Sequence, residues 1–240
     1  MAWQVLVRAL GVPIVLVPAP TDVARALVAG LVDGSLPAQA WVTLQEILIG
    51  FGIAGVSGLA AALLVTQLRL VEKAFLPLIV LTQSVPKVAM APLLLIWFGT
   101  GITSKVVTTA LIGFFPVLVN SVLGLRAAGR DHIDMLRSFG ATRAQILLRL
   151  TLPTALPSLF AGLEVAVVLS VTGAIVAEFV GSSAGLGYVM QATNYTLDVA
   201  TTFAVLVVLG VIGLALHGVI AALRKRLVFW SAHDRGAADL

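Results

Sequence analysis

The 240 residues are 60% hydrophobic and 11% charged, with a mean hydropathy of +1.08. An ordinary soluble domain is about 25% charged, so the composition describes an all-α, polytopic membrane chain with no room for a separate soluble domain. Cysteine is absent, which excludes disulfides and thiolate metal sites; the net charge of +4 and a pI near 10.0 raise nucleic acid as a partner class, but the positions of the basic residues answer otherwise.

In chain order, 2–17 is apolar but short and carries Arg8 and Pro13. It reads either as the end of a shortened first helix or as an interfacial helix. Five stretches then reach the roughly 20 apolar residues that a helical span needs: 41–65, 75–98, 106–125, 159–180 and 203–223. They form the core, 41–223, of one transmembrane domain spanning 1–240. With the spans alternating in direction, one set of loops holds eleven basic residues, Arg69, Lys73, Arg126, Arg130, Arg137, Arg143, Arg149, Arg224, Lys225, Arg226 and Arg235, against Arg25 and Lys105 on the other. By the positive-inside rule the segment 126–156 and the C-terminus face the cytoplasm, and the 181–198 loop faces outward. The basic residues are topology signals, and no nucleic-acid partner is expected.

The second span holds Lys87 between Pro86 and Pro92. Proline breaks there would expose carbonyls to a cavity, and an intramembrane charge is usually paired or functional. Lys87 therefore reads as attracting an anionic solute, as pairing with Glu164 or Glu178, or as a snorkelling structural lysine. Gln83, Ser84, Asn120 and Glu178 join it as candidates for lining a translocation pathway, although such polar groups also tie helices together. His217 stands alone in the last span, a packing residue with no second ligand at metal spacing.

The segment RSFGATRAQILLRLTLPTALP, 137–157, departs from its apolar surroundings. Gly140 suits the left-handed position beyond a helix end. Thr142 stands three residues before Gln145, the spacing of a capping box. The pattern predicts a helix over 131–138 and a second over 143–150 that stops at Pro153. Ile133, Leu136, Phe139, Ile146, Leu147 and Leu150 collect on one side, opposite Arg137, Ser138, Gln145 and Arg149. Such an amphipathic helix–turn–helix lies among lipid headgroups or docks a cytoplasmic partner.

Gly140, nine residues, Leu150, one residue and Leu152-Pro153 resemble the cytoplasmic signature of ABC importer permeases, which reads Glu-Ala-Ala, three residues, Gly, nine residues, Ile, one residue, Leu-Pro. Here the leading triplet is Asp134-Met135-Leu136, acidic but without the alanines. The stretches LVPAPTDVARAL, VPKVAMAPLLLIWFGTG, FFPVLVNSVLGLR and AEFVGSSAGLGYVM, in this order, are similar to the nitrate/sulfonate/taurine branch of that family. The resemblance implies the membrane subunit of a type I importer in the bacterial inner membrane, without catalysis of its own. It implies a second permease copy, two cytoplasmic ATPase subunits that hold Mg-ATP, an extracytoplasmic binding protein, and no cofactor on this chain. It assigns Asp134, Arg137, Phe139, Gly140, Arg143, Ile146, Leu147, Leu150 and Pro153 to ATPase coupling. The chain contains no Gly-x-x-x-x-Gly-Lys-Ser/Thr phosphate loop, in agreement. The cargo implied is a small anion of the nitrate, sulfonate or taurine kind, with a pyrimidine-type vitamin precursor as the alternative. An ATP-independent secondary transporter would favour two internally similar halves, and none is visible.

Overall fold

The computed structural model describes residues 2–9, 11, 13, 15–67 and 86–230. Among them every regular element is helical. In chain order these are α1 (Ala2–Ala9), α2 (Pro20–Val32), α3 (Ser35–Gln67), a 3-10 turn (Lys87–Met90), α4 (Ala91–Phe98), α5 (Ile102–Arg126), α6 (Arg130–Ser138) and α7 (Arg143–Ile146). A π-helical stretch (Leu147–Thr151), α8 (Leu152–Gly181), α9 (Leu186–Thr196) and α10 (Val199–Leu227) complete the chain.

Among the described residues, four helices are long and apolar enough to cross a membrane: Ser35–Thr66, Ile102–Arg126, Arg143–Gly181 and Val199–Leu227. Each contains one of the predicted spans and extends it. The span expected over 75–98 lies partly outside the described residues; its described part is the shorter apolar helix Lys87–Phe98. The leading segment forms the eight-residue α1, tied to α2 by hydrogen bonds between Gln4 and Thr21 and to α10 by a Trp3–Phe203 ring contact.

The bundle is organised around α5, which packs along both α3 and α8. Small residues let these backbones approach, the usual substitute for a hydrophobic driving force in lipid. A Cβ at Gly50 would stand 2.6 Å from Thr109, so α3 and α5 meet there only because the side chain is absent. Toward the predicted inner end, Ala62 and Val65 of α3, Leu118, Val122 and Leu125 of α5 and Ala155 of α8 form one buried cluster, with Leu147 packed on it. Toward the other end, Leu36, Leu186, Val205 and Leu209 join α3, α9 and α10.

Two expectations fail for physical reasons. Pro153 does not stop the second elbow helix, which runs unbroken from Arg143 to Gly181. Proline removes one backbone donor and crowds the carbonyl four residues back, and the π-helical turn immediately before it widens the backbone at that point. Lys105 is not a loop residue. It lies in the opening turn of α5 and is 5% exposed, drawn inward by a carboxylate on α3. Moving it leaves the basic asymmetry of the loops intact.

Candidate functional site

Three constellations combine polar chemistry with position. The first is the elbow between α5 and α8. Helix α6 ends at Gly140, whose φ of +78° is the left-handed conformation that glycine adopts without a Cβ penalty. The Gly140 N–H donates to Arg137 O and the Ala141 N–H to Leu136 O, which satisfies the last carbonyls of the helix. The next helix opens with the predicted capping box: Gln145 N–H donates to Thr142 Oγ1 at 3.3 Å, and Thr142 N–H donates to Gln145 Oε1 at 2.8 Å. Such a box stabilises a helix start by about 1 kcal/mol.

The side chains divide differently from the expectation. Ile146 is buried and Ile133, Leu136, Leu147 and Leu150 are half-buried, turned toward their own chain. Ile146 is shut away from solvent, and Leu147 packs on the buried cluster of α3, α5 and α8. Phe139 leaves the apolar side altogether and stands 80% exposed at the tip, because the turn at Gly140 carries it off the helix face. Met135 and Leu148 are exposed too. Asp134 and Arg137 form a 3.0 Å ion pair in solvent, worth at most about 0.5 kcal/mol at such exposure. Arg137 and Arg143 share a cleft of about 440 Å³ whose floor is Ile146 and Leu147 and whose wall includes Thr66 and Leu125. Arg149 is exposed and Pro153 half-buried.

The second constellation ties α9 to the bundle. Gly185 N–H donates to Gln39 Oε1 at 2.6 Å, Leu186 N–H to Thr43 Oγ1 at 2.8 Å, and Gly187 N–H to Glu178 Oε2. Thr43 Oγ1 in turn donates to Glu178 Oε1 at 2.7 Å. Three orphan amides at a helix start are thus met by side chains of α3 and α8, and the carboxylate also suits the positive end of the helix. The glycines are required here: a Cβ at Gly185, whose φ is +105°, would fall 2.2 Å from Glu178 Oε1, and one at Gly187 would fall 2.8 Å from Oε2. Beside this tie, Lys105 Nζ lies 3.4 Å from Glu46 Oε1, with both side chains almost wholly buried. Glu46 also lies against Glu178.

Glu178 was a pathway candidate, and the structure withdraws it. The residue is 0% exposed, and its oxygens are engaged by Thr43 and Gly187. Sequence reasoning missed Gln39, Thr43 and Glu46 and misplaced Lys105. The available signal was Glu46, a lone carboxylate in an apolar span, which demands a buried cation.

The third constellation is a groove of about 520 Å³ against α5 and α8, where Lys87 and Asn120 come together. Lys87 pairs with neither proposed carboxylate, because Glu164 is bound by Arg224 at 3.1 Å and Glu178 is occupied as described. The Lys87 Nζ stands 4.4 Å from the Phe115 ring centroid instead. Such a cation–π contact is worth about 0.5–2 kcal/mol, set against the roughly 2.5–3.5 kcal/mol that a mid-membrane charge costs on insertion scales. Gln83 and Ser84 lie outside the described residues. His217 is exposed along the face of α10 and borders an apolar groove with Gly210, Gly213 and Leu214. No group of three or more His, Cys, Asp or Glu poised for a metal occurs among the described residues.

Comparison with known proteins places these features in a family. The family described as binding-protein-dependent transport system inner membrane component matches residues 54–229. The riboflavin transport system permease protein RibX of Chloroflexus aurantiacus is 37% identical over 230 residues, covering 96% of this chain and 86% of the relative. The formylaminopyrimidine transport permease protein ThiX of Halalkalibacterium halodurans is 36% identical over 231 residues, covering 95% and 90%. The taurine transport system permease protein TauC of Escherichia coli is 30% identical over 233 residues, covering 95% and 84%. Among solved structures, an inward-facing form of the MetNI methionine ABC transporter superposes with a TM-score of 0.65 at 21% identity, covering 80% of this chain and 95% of that one, a likeness of fold. The chain belongs to the binding-protein-dependent inner membrane components and is an ABC importer permease.

Proposed function

We propose that the elbow over 126–156 is the element through which a separate cytoplasmic ATPase drives this permease. The observation that carries the reading is the exposed Phe139, 80% accessible, on a doubly capped turn joined to one unbroken 39-residue helix. At 1.5 Å per residue that helix is about 58 Å long, nearly twice the roughly 30 Å hydrocarbon core. A push at the elbow therefore reaches the far face without crossing a flexible joint. Phe139, Met135 and Leu148 offer the apolar anchor, and Arg137 and Arg143 present guanidinium donors in one cleft for carboxylate or carbonyl groups of the partner. Asp134, Gly140, Leu150 and Pro153 hold the shape, and Ile146 and Leu147 key the elbow into the bundle.

In this reading Mg-ATP stays on two ATPase subunits, two permease copies enclose the path, and an extracytoplasmic binding protein delivers the cargo. The excess of Lys and Arg on this side supports a cytoplasmic elbow. At the opposite end of the rod, Glu178 fastens α9, so tilting of α8 carries α9 with it as an outer gate. The relatives at 37% and 36% identity are named for riboflavin and formylaminopyrimidine, ahead of the taurine permease at 30%. The cargo is accordingly a planar nitrogen heterocycle of the vitamin-precursor kind, in preference to a nitrate- or sulfonate-like anion.

The test is ATP hydrolysis by the assembled importer in vesicles. Gly140→Trp or deletion of 139–147 abolishes the hydrolysis stimulated by loaded binding protein; unchanged stimulation rejects the coupling role.

A further inference from the structure

Lys87 is a cation without a carboxylate among the described residues, and the groups around it are of one chemical pattern. The ammonium rests over the face of Phe115. Pro116, inside α5, has no N–H to offer the carbonyl of Ile112, so that carbonyl lacks its helical donor, and both residues line the groove. Asn120 uses one of its two amide hydrogens on Pro116 O at 2.8 Å, and its side-chain oxygen is an acceptor at the other arm of the same amide. Gly162 of α8 allows this arrangement. A Cβ there would come 2.7 Å from Asn120 Cβ and 2.9 Å from Pro116 O, so α8 is closed down on the Asn120 stem. Val88, Val119, Val165 and Leu169 make the remaining walls apolar.

The groove thus combines one positive donor, one aromatic ring and one side-chain amide, with Ile112, whose carbonyl lacks its helical donor, among its lining. A compact anion fits this poorly, since it needs several converging donors and Lys87 is the one charged donor among the lining residues. A flat ring fits well if it carries a carbonyl to accept from Lys87 and an N–H or amino group to donate to Asn120 Oδ1 or Ile112 O. Its faces would pack on the valines and against the edge of Phe115 that Lys87 leaves uncovered, in a space of about 520 Å³. We infer that the Lys87–Phe115–Asn120 groove is a cargo-reading site inside the permease, selective for planar nitrogen heterocycles that bear a ring carbonyl beside an N–H donor. This rests on the reading of the chain as a heterocycle importer, and adds that selection continues after the binding protein has released its load. Lys87 supplies the directional contact, Phe115 an aromatic edge, and Asn120 the acceptor.

The absence of cysteine makes the test clean. Val165, in the groove wall and 51% exposed, is changed to Cys in the assembled importer, and its rate of alkylation by a small maleimide is followed with riboflavin, formylaminopyrimidine or taurine present. The expected result is that a heterocycle slows alkylation and taurine does not, that Lys87→Met weakens the protection about tenfold or more in concentration, as loss of a charged hydrogen bond would, and that Lys87→Arg restores it. No protection by either heterocycle, or protection that survives both Lys87→Met and Phe115→Leu, overturns the inference. Uptake by the unaltered importer separates the two levels. Heterocycle uptake with an unprotected Val165→Cys condemns the groove and spares the importer reading, whereas taurine uptake without heterocycle uptake condemns both.

Discussion

Lys105 and Glu46 show how much one buried charge dictates. Their 3.4 Å contact is shut away from solvent at the junction of α3 and α5, and Glu178 lies against the same carboxylate. Two carboxyl groups and one ammonium in a low-dielectric pocket stand or fall together. Removing the cation alone, Lys105→Met, should cost about 3–5 kcal/mol, as breaking other buried pairs does, and should lower the unfolding midpoint in detergent. Adding Glu46→Leu to it should recover most of the loss; a double variant no more stable than the single one contradicts the pairing. Gly185→Ala tests the neighbouring tie, because the new Cβ would meet Glu178 Oε1 at 2.2 Å. Its expected result is faster amide exchange at Leu186 and Gly187 with little change at the elbow. At this scale the sequence was partly legible. Of the two roles open to Glu178, the tie between helices is the one its hydrogen bonds show. Lys105 read as a loop residue, because hydropathy counts charges without seeing which way a side chain turns, and Gln39 and Thr43 carry no sequence signal of the amides they meet.

At the scale of elements the elbow was the most legible part of the chain. Its turn and box are local chemistry: Gly140 takes the left-handed conformation, and Thr142 and Gln145 cap each other. Thr142→Ala should cost about 1 kcal/mol of helix-start stability, seen as faster amide exchange over 143–146 and not at the ends of α10. Slower or unchanged exchange there contradicts the capping role. Pro153 misled because a proline reads as a stop when only its missing donor is considered. Leu147–Thr151 widens into a π turn and the helix continues, so elbow and span form one body. The helix α9 was likewise invisible: 181–198 read as a loop, and the first amides of the helix from Leu186 are met by Gln39, Thr43 and Glu178, from distant parts of the chain.

At the scale of the whole molecule, composition and basic asymmetry sufficed for an all-α membrane bundle, since lipid leaves few other options for the backbone. Which faces remain open did not follow from them, because burial depends on how α3, α5 and α8 close on one another. In the proposed mechanism the elbow is a cytoplasmic handle gripped by the ATPase and continuous with the span beyond it. The most direct measurement is labelling of Phe139→Cys, the sole thiol in an otherwise cysteine-free chain, by a membrane-impermeant maleimide applied to either face of vesicles, with and without the ATPase. The expected result of the coupling role is reaction from the cytoplasmic face alone and protection once the ATPase is bound. Reaction from the outer face, or undiminished reaction in the assembled complex, would contradict it.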